Sequence, residues 1–481
     1  MNIAILTEGG KDKGFGHVAR CSSIYQAFEY YSHSVRFIIN GDDSIKSILN
    51  NIDYELYNWI DDLSIIDDFD IVIIDSYLAD FSIYNEISTK GKLLVSIDDN
   101  NRFRYPSGII VNGTLDVTNM NYPIRDDILY LTGNNFVPLR KDFWEISNLA
   151  INDDIVTVLI TMGGNDLRNL TPKLLNLLNN SFPNLNKKII ISDSFDNVDE
   201  IKKFKNDSVE FIYSPNSSEM LHCMFDVDLA ISASGQTLYE LACVGVPTIS
   251  IGIIENQENN IKNWLKTGFI EYAGCWNNEN LLNNILNKMD YLSNKDVRFD
   301  KNLKGIHAID GKGSLRIVKG ILNEYYIRNS NFREIKSEDC LKIFELANDD
   351  DVRKNSFNSD KIKLEDHINW FDNIIHDVST KFYVLEFDDD IIGQLRFDFD
   401  EEYPVISISL NKKYRGLGLS KYLLSQGFEF LEEFKKIVAY IKKDNLTSIS
   451  FFKSMGFKKE KEVIIKDCPA LKFVKEWYYG I

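Results

Sequence analysis

The sequence predicts an α/β protein in which two doubly wound units follow one another and a third region of different pattern closes the chain. Three observations carry this expectation. Short unbroken apolar runs alternate with helix-like runs as far as residue 325, as in parallel sheets buried on both faces. The order strand, glycine turn, helix occurs at Gly14 and again at Gly163, so the unit repeats. From residue 332 the pattern shifts to acid-rich helices and to strands that run into another glycine turn.

In the first unit, strands are expected at 3–6, 35–39, 71–75, 93–97 and 109–111, with helices at 19–31 and 83–88. In the second, strands are expected at 155–161, 188–191, 209–213, 229–232 and 248–251. Helices fit 171–178, 218–224, 237–244 and 257–267. The units join near 136–149. A closing helix at 315–326 ends in a short polar joint, 327–330. Strands at 332–335, 382–386, 391–398 and 405–410 open the third region. The expected domains are therefore 1–145, 146–328 and 331–481. Two facing α/β units leave a cleft where ligands bind; one long sheet is the alternative.

Composition narrows the function. With 481 residues, 44% hydrophobic and 26% charged, the chain can build several cores. Its net charge of -18 argues against nucleic acid as the main partner. None of the six cysteines forms a Cys-x-x-Cys pair, and no apolar stretch approaches membrane length. The expectation is a cytoplasmic protein with buried thiols, no metal and no membrane insertion.

Gly14-Phe15-Gly16-His17-Val18-Ala19-Arg20 is the stretch with most chemistry in it. Glycines 14 and 16 let the backbone turn tightly beside a ligand. The next helix would aim free N–H groups and its positive end at an anion. Imidazole is suited to take a proton near neutral pH, so His17 is the candidate base at the reacting carbon of a nucleotide sugar. A strand–helix turn with a surface histidine is the competing reading.

In the second unit, Gly163 and Gly164 sit in Met162-Gly163-Gly164-Asn165-Asp166, between a strand and a helix. Ser232-Ala233-Ser234-Gly235-Gln236-Thr237 opens a helix that holds Glu240 and is closed by Gly245 and Pro247. Thr237 and Glu240 have capping-box spacing. Alternatively, Ser234 to Thr237 hold phosphate and Glu240 accepts from ribose hydroxyls. Asn256 and Gln257 follow the next strand and would face the same cleft.

Taken in order, these motifs closely resemble the UDP-2,4-diacetamido-2,4,6-trideoxy-β-L-altropyranose hydrolases of pseudaminic acid biosynthesis, relatives of a GT-B glycosyltransferase. Asp75-Ser76-Tyr77, Asp98-Asp99 and Leu139-Arg140 also look like that family. The resemblance covers about 1–325. It implies a GT-B-like fold and metal-free, inverting hydrolysis of a UDP-sugar. His17 would activate the water, with backbone amides and helix ends on the diphosphate. It places Gly14, Gly16, Arg20, Tyr77, Gly163, Gly164, Ser234, Gly235, Thr237, Glu240, Asn256 and Gln257 around the substrate, with Asp75 and Tyr77 as sugar contacts. Two positions depart from the family: Thr7-Glu8-Gly9 stands where many relatives carry Arg-x-Asp, and Ser234 replaces a glycine.

The third region has its own pair of motifs. Arg415-Gly416-Leu417-Gly418-Leu419-Ser420 lies between a strand and an amphipathic helix, and its amides could cradle a pyrophosphate. Asn445 to Phe457 follows at a suitable remove. The pair resembles the GNAT acetyltransferases and covers about 331–481. The resemblance implies an α+β domain with acetyl-CoA as cosubstrate, held by Arg415, Gly416, Gly418, Ser420 and Asn445. Phe452 stands where many members have a tyrosine acid. Segments 349–357 and 365–371 look like the branch that acetylates amino groups of nucleotide sugars. His367 and Trp370 have helical spacing, which suits packing or, alternatively, substrate contact.

The leading expectation is a bifunctional enzyme with UDP-amino sugars as substrates of both halves. A GT-B glycosyltransferase of surface polysaccharide synthesis, fused to an acetyltransferase of other substrate, is the alternative. A nucleotide-sugar-binding regulatory protein is the third.

Overall fold

The computed structural model describes the chain except residues 12, 50–51, 254–257, 400–401, 432–435 and 477–481, and the side chains of 47, 119, 258 and 259. The chain forms two compact units, Met1–Ile321 and Leu322–Ile481. Among the described residues, no helix is long and apolar enough to cross a membrane. All six cysteines are free thiols, with Cys21, Cys223 and Cys243 buried.

The first unit holds two sheets. One contains β1 (Ile3–Gly9), β2 (Val35–Gly41), β3 (Glu55–Leu56), β4 (Ile71–Asp75), β5 (Leu93–Ile97), β6 (Gly108–Asn112) and β7 (Ile128–Thr132). Their order is β3-β2-β1-β4-β5-β6-β7, and every pairing is parallel. Strands β1 and β4 are buried along their whole length: residues 3–6 and 71–74 read as continuous apolar runs, and the polar Thr7, Glu8 and Asp75 at their carboxyl ends are buried too. Chain order reverses between β1 and β4, and in open parallel sheets ligands bind at the carboxyl ends of strands at that place.

The second sheet contains β8 (Thr157–Thr161), β9 (Asn186–Ile191), β10 (Val209–Tyr213), β11 (Leu229–Ala233), β12 (Thr248–Gly252) and β13 (Ile270–Cys275). Its order, β10-β9-β8-β11-β12-β13, is also wholly parallel and reverses between β8 and β11. The second glycine turn follows β8, and Ser234-Gly235 follows β11.

The polar joint expected at 327–330 is not a loop as far as Asn329. The closing helix runs from Gly313 to Asn329. Its last turn is held by an Arg328–Glu324 pair at 2.7 Å and by the Asn329 amide donating to the Tyr325 carbonyl at 2.8 Å.

The second unit contains β14 (Asn331–Glu334), β15 (Thr380–Phe387), β16 (Asp390–Asp398), β17 (Val405–Leu410), β18 (Lys436–Lys442), β19 (Lys458–Ile465) and β20 (Cys468–Glu476). They line up as β14-β15-β16-β17-β18-β20-β19. Neighbours are antiparallel except β17 and β18, which run parallel and pair only at Val405 with Val438. Beyond that pair the two strands diverge and leave backbone groups of β17 open on one side.

Candidate functional site

The helix after β1 starts earlier than its apolar pattern suggests. It spans Gly16–Tyr30, so His17 belongs to its first turn. Ahead of it, Gly10 and Gly14 face each other, with Gly14 N–H to Gly10 O at 2.8 Å and Gly10 N–H to Gly14 O at 3.1 Å. Gly14 has a φ of +79°, which favours glycine. No side chain caps the helix start and its first turn holds no acid, so the leading amides are open to an anion.

Arg20 follows His17 by three positions, which puts both on one helix face. There they meet Asp75, the last residue of β4. His17 Nδ1 lies 2.7 Å from Asp75 Oδ1. A carboxylate accepts only, so Nδ1 carries the hydrogen and Nε2 keeps its lone pair. Arg20 donates to both Asp75 oxygens at 2.5 Å and to both Asp99 oxygens at 2.8 Å. Burial alone would raise the Asp75 pKa; the Arg20 charge, together with the hydrogen bonds from Arg20 and His17, outweighs it and holds the carboxyl well below the usual range. Burial alone would lower the Arg20 pKa, and Asp75 and Asp99 more than offset it. Asp75 is therefore not a sugar contact, because its side chain is 1% exposed and both oxygens are taken.

Tyr77 stands over His17 edge-on, with ring centroids 4.7 Å apart, and its hydroxyl donates to Asp99 at 2.9 Å. Burial and then the Asp99 charge raise its pKa, so it stays a donor. The turn that carries Tyr77 is fixed by Glu8. That buried carboxylate accepts from Ser76 Oγ, from Tyr77 N at 2.8 Å and from Leu78 N at 3.3 Å. Glu8, in the segment that departs from the family pattern, is thus the anchor of the loop facing His17.

The two glycine turns approach each other within the unit: a Cβ at Gly164 would meet the Phe15 ring at 3.6 Å. Gly163 has a φ of +81°. Asp166 caps the following helix, Leu170–Ser181, through the amides of Leu170 and Thr171 at 2.9 and 3.0 Å. Arg168, which the sequence reading passed over, stacks on Trp276 at 4.2 Å and donates to Ile253 O at 3.1 Å. Its sequence signal is only its place behind a glycine turn.

After β11, Gly235 has open space where a Cβ would lie, and the helix Thr237–Val244 starts without a side-chain cap. The capping-box role of Thr237 and Glu240 is therefore corrected. Glu240 instead accepts from Arg140 at 2.6 Å, which ties 140 to the second sheet. Ser234 is turned into the sheet: its hydroxyl shares a hydrogen with Ser250 Oγ at 2.6 Å and bonds Ile251 O at 3.0 Å, and its amide bonds the same carbonyl. Its side chain cannot also hold phosphate. Gly245 closes the helix with a φ of +82°, as its position predicts. Asn256 and Gln257 lie outside the described residues.

In the second unit, Gly416 and Gly418 have φ of +80° and +97°. Gly418 is the uncapped start of the helix Leu419–Phe428, whose first turn also lacks an acid. Ser420 belongs to that first turn and lines the adjoining cavity. Arg415 is occupied: its guanidinium bonds Asp349 at 2.6 Å, Asp351 at 2.8 Å and Leu410 O at 2.9 Å, so it braces the turn instead of reaching a phosphate. Asn445 caps the helix Leu446–Ser454 by accepting from Ser448 N at 3.1 Å. Phe452 is buried against Phe451 and Phe457, each at 5.0 Å. His367 is packed among Phe344, Trp370 and Phe371 with its Nε2 on the Cys340 carbonyl at 3.0 Å; burial lowers its pKa. The turn, the diverging β17 and β18 and a cavity of ≈ 1610 Å³ together suit a long anionic ligand with amide groups.

Residues 341–457 match the family model of the acetyltransferase (GNAT) family. The C-terminal region is a GNAT domain. The chain is 24% identical to an uncharacterized protein of Methanocaldococcus jannaschii, MJ1062, over 96% of this chain and 98% of that one. It is 28% identical to the pseudaminic acid cytidylyltransferase and UDP-2,4-diacetamido-2,4,6-trideoxy-beta-L-altropyranose hydrolase of Helicobacter pylori, over 53% of this chain and 45% of that protein. It is 26% identical to acetyltransferase PseH of Campylobacter jejuni, over 27% of this chain and 84% of that protein. Both kinds of relative expected from the motifs, hydrolase and GNAT acetyltransferase, are thus found for this chain.

Proposed function

We propose that the first unit hydrolyses UDP-2,4-diacetamido-2,4,6-trideoxy-β-L-altropyranose and that the GNAT domain makes this substrate by acetylating the 4-amino precursor with acetyl-CoA, in pseudaminic acid biosynthesis. The observation that carries the hydrolase half is the 2.7 Å His17–Asp75 contact at the carboxyl end of β4, opposite the second glycine turn. With Nδ1 committed to Asp75, Nε2 takes a proton from water as the water oxygen bonds to the anomeric carbon. The C–O bond to UDP breaks on the opposite face and UDP leaves with the electron pair. Amides at Gly163, Gly164 and Gly235 and the start of the helix Thr237–Val244 stabilise the leaving diphosphate. Glu240, oriented by Arg140, turns its other oxygen to ribose hydroxyls. By the family resemblance, Asn256 and Gln257 complete the sugar and phosphate contacts. These two facing halves are read as a GT-B-like pair.

In the GNAT domain, amides of 416–420 hold the pyrophosphate of acetyl-CoA and the open side of β17 meets its amide arm. The acceptor's neutral amine attacks the thioester carbonyl and its nitrogen gives up a proton to water; the C–S bond breaks, and the thiolate takes a proton from water, since Phe452 has none to give. The test is UDP release from the diacetylated sugar without any added acceptor sugar. His17→Asn is expected to lower that release by about 10²–10⁴-fold and to leave acetyl transfer intact. Release that requires an added acceptor would make the first unit a glycosyltransferase instead.

A further inference from the structure

The GNAT cavity is lined by more cations than carboxylates, although the chain as a whole is acidic, and three of those cations stand on β18, β20 and β19. The chain has a net charge of -18, yet the cavity is lined by seven Lys or Arg side chains against four Asp. The arginines are engaged, and Lys472 pairs with Glu460 at 2.9 Å. Lys354, Lys442 and Lys461 have no carboxylate partner among the described residues; Lys442 Nζ donates to the Lys354 carbonyl at 2.8 Å. Lysine held at a cavity without a counter-charge is a place for an anion.

Register places the strand lysines. Lys472 of β20 lies opposite Tyr440 of β18 and opposite Lys461 of β19. A regular ladder from the Lys459–Phe473 pair would set Lys461 against Leu471, on the other face. The bulge between Lys459 and Lys461 inserts Glu460 and brings Lys461 round to Lys472, on the cavity face. The cavity also holds two buried polar atoms with no partner, Gln394 Oε1 and Ser409 Oγ, on residues paired across β16 and β17. Buried polar atoms of this kind call for a hydrogen-bonding ligand. The turn at 416–420, which the acetyl-transfer reading gives to the pyrophosphate, opens the helix Leu419–Phe428, whereas Lys442, Lys461 and Lys472 stand on strands of the opposite part of the lining.

We propose that Lys442 and Lys461, with Lys354 beside them, bind the phosphates of the acetyl acceptor, and so select a nucleotide-linked amino sugar over a free one. This rests on the acetyl-transfer reading above. Cationic acceptors such as polyamines or lysine side chains are disfavoured by the same charges.

The experiment compares acetyl transfer to a UDP-linked 4-amino sugar and to the same sugar without UDP, in the full chain and in a Lys442→Ala/Lys461→Ala variant. Acetyl-CoA affinity is measured alongside by calorimetry. The proposal expects the wild type to favour the UDP-linked acceptor in kcat/KM, and the variant to raise its KM about tenfold or more with acetyl-CoA affinity unchanged. Lys461→Arg, which keeps the charge, should retain the preference. Equal use of both sugars by the wild type, an unaltered KM in the double variant, or a matching loss of acetyl-CoA affinity would each overturn it while leaving amino-sugar acetylation standing. Acetylation of neither sugar would instead overturn the acetyl-transfer reading, and this proposal with it.

Discussion

Asp75 separates orientation from contact at the scale of single residues. It is too buried to touch a sugar, but it fixes which nitrogen of His17 is bare and holds Arg20 against the same helix face. Asp75→Asn should lower kcat for UDP release by about 10²–10⁴-fold with little change in KM, since a misoriented base harms chemistry more than binding. The same change leaves Arg20 short of a partner, a loss of about 3–5 kcal/mol for a broken buried pair. The pH dependence has a definite sign. The Asp75 carboxyl titrates lower in the folded chain than in the unfolded one, so its stabilisation is complete above about pH 4 and is lost as pH falls below that. Urea midpoints of wild type and variant should therefore differ at pH 7, and the gap should narrow as pH falls below about 4; a gap that stays constant down to strongly acid pH would contradict the ion pair. His17 was legible from its glycines and the helix behind it. Asp75 and Glu8 were not legible in these roles, because their partners lie tens of residues away and only the order of β1 and β4 brings them together.

Elements were legible where the sheet is buried on both faces and less so at its margins. Strands β4 and β5 fall on the expected residues because each is an unbroken apolar run. The three strands not foreseen in the first unit, β3, β7 and β13, are all sheet edges, with partly exposed residues that blur the pattern. The helix Gly16–Tyr30 begins ahead of its apolar stretch because Gly16 and the largely buried His17 fill its first turn without an apolar pattern to mark it. The turn before Leu419–Phe428 carries Gly416 and Gly418. Gly418→Val would force a β-branched residue to a φ of +97°, a strain of about 1–3 kcal/mol, and place its bulk at the amides. Acetyl-CoA affinity should fall about tenfold or more, read by calorimetry, with UDP release by the first unit unchanged. Retained acetyl-CoA affinity would show that this turn is not the pyrophosphate site.

At the scale of the whole molecule, two parallel sheets with matching strand order put the His17 turn and the Gly163-Gly164 turn in one unit, and a GNAT domain occupies the other. The tandem repeat was visible in the spacing of glycine turns because each follows the strand at which sheet order reverses. The helical end of 313–329 was not visible, since its closing residues are polar and reveal their bonds only when folded. In the reaction proposed above, the first unit delivers water, through His17, to an anomeric carbon. The direct measurement is to run the reaction on the diacetylated UDP-sugar in ¹⁸O-water and locate the label by mass spectrometry. Hydrolysis at the anomeric carbon puts one ¹⁸O in the released sugar and none in UDP; label in the UDP phosphate, or no release without an acceptor, would contradict it.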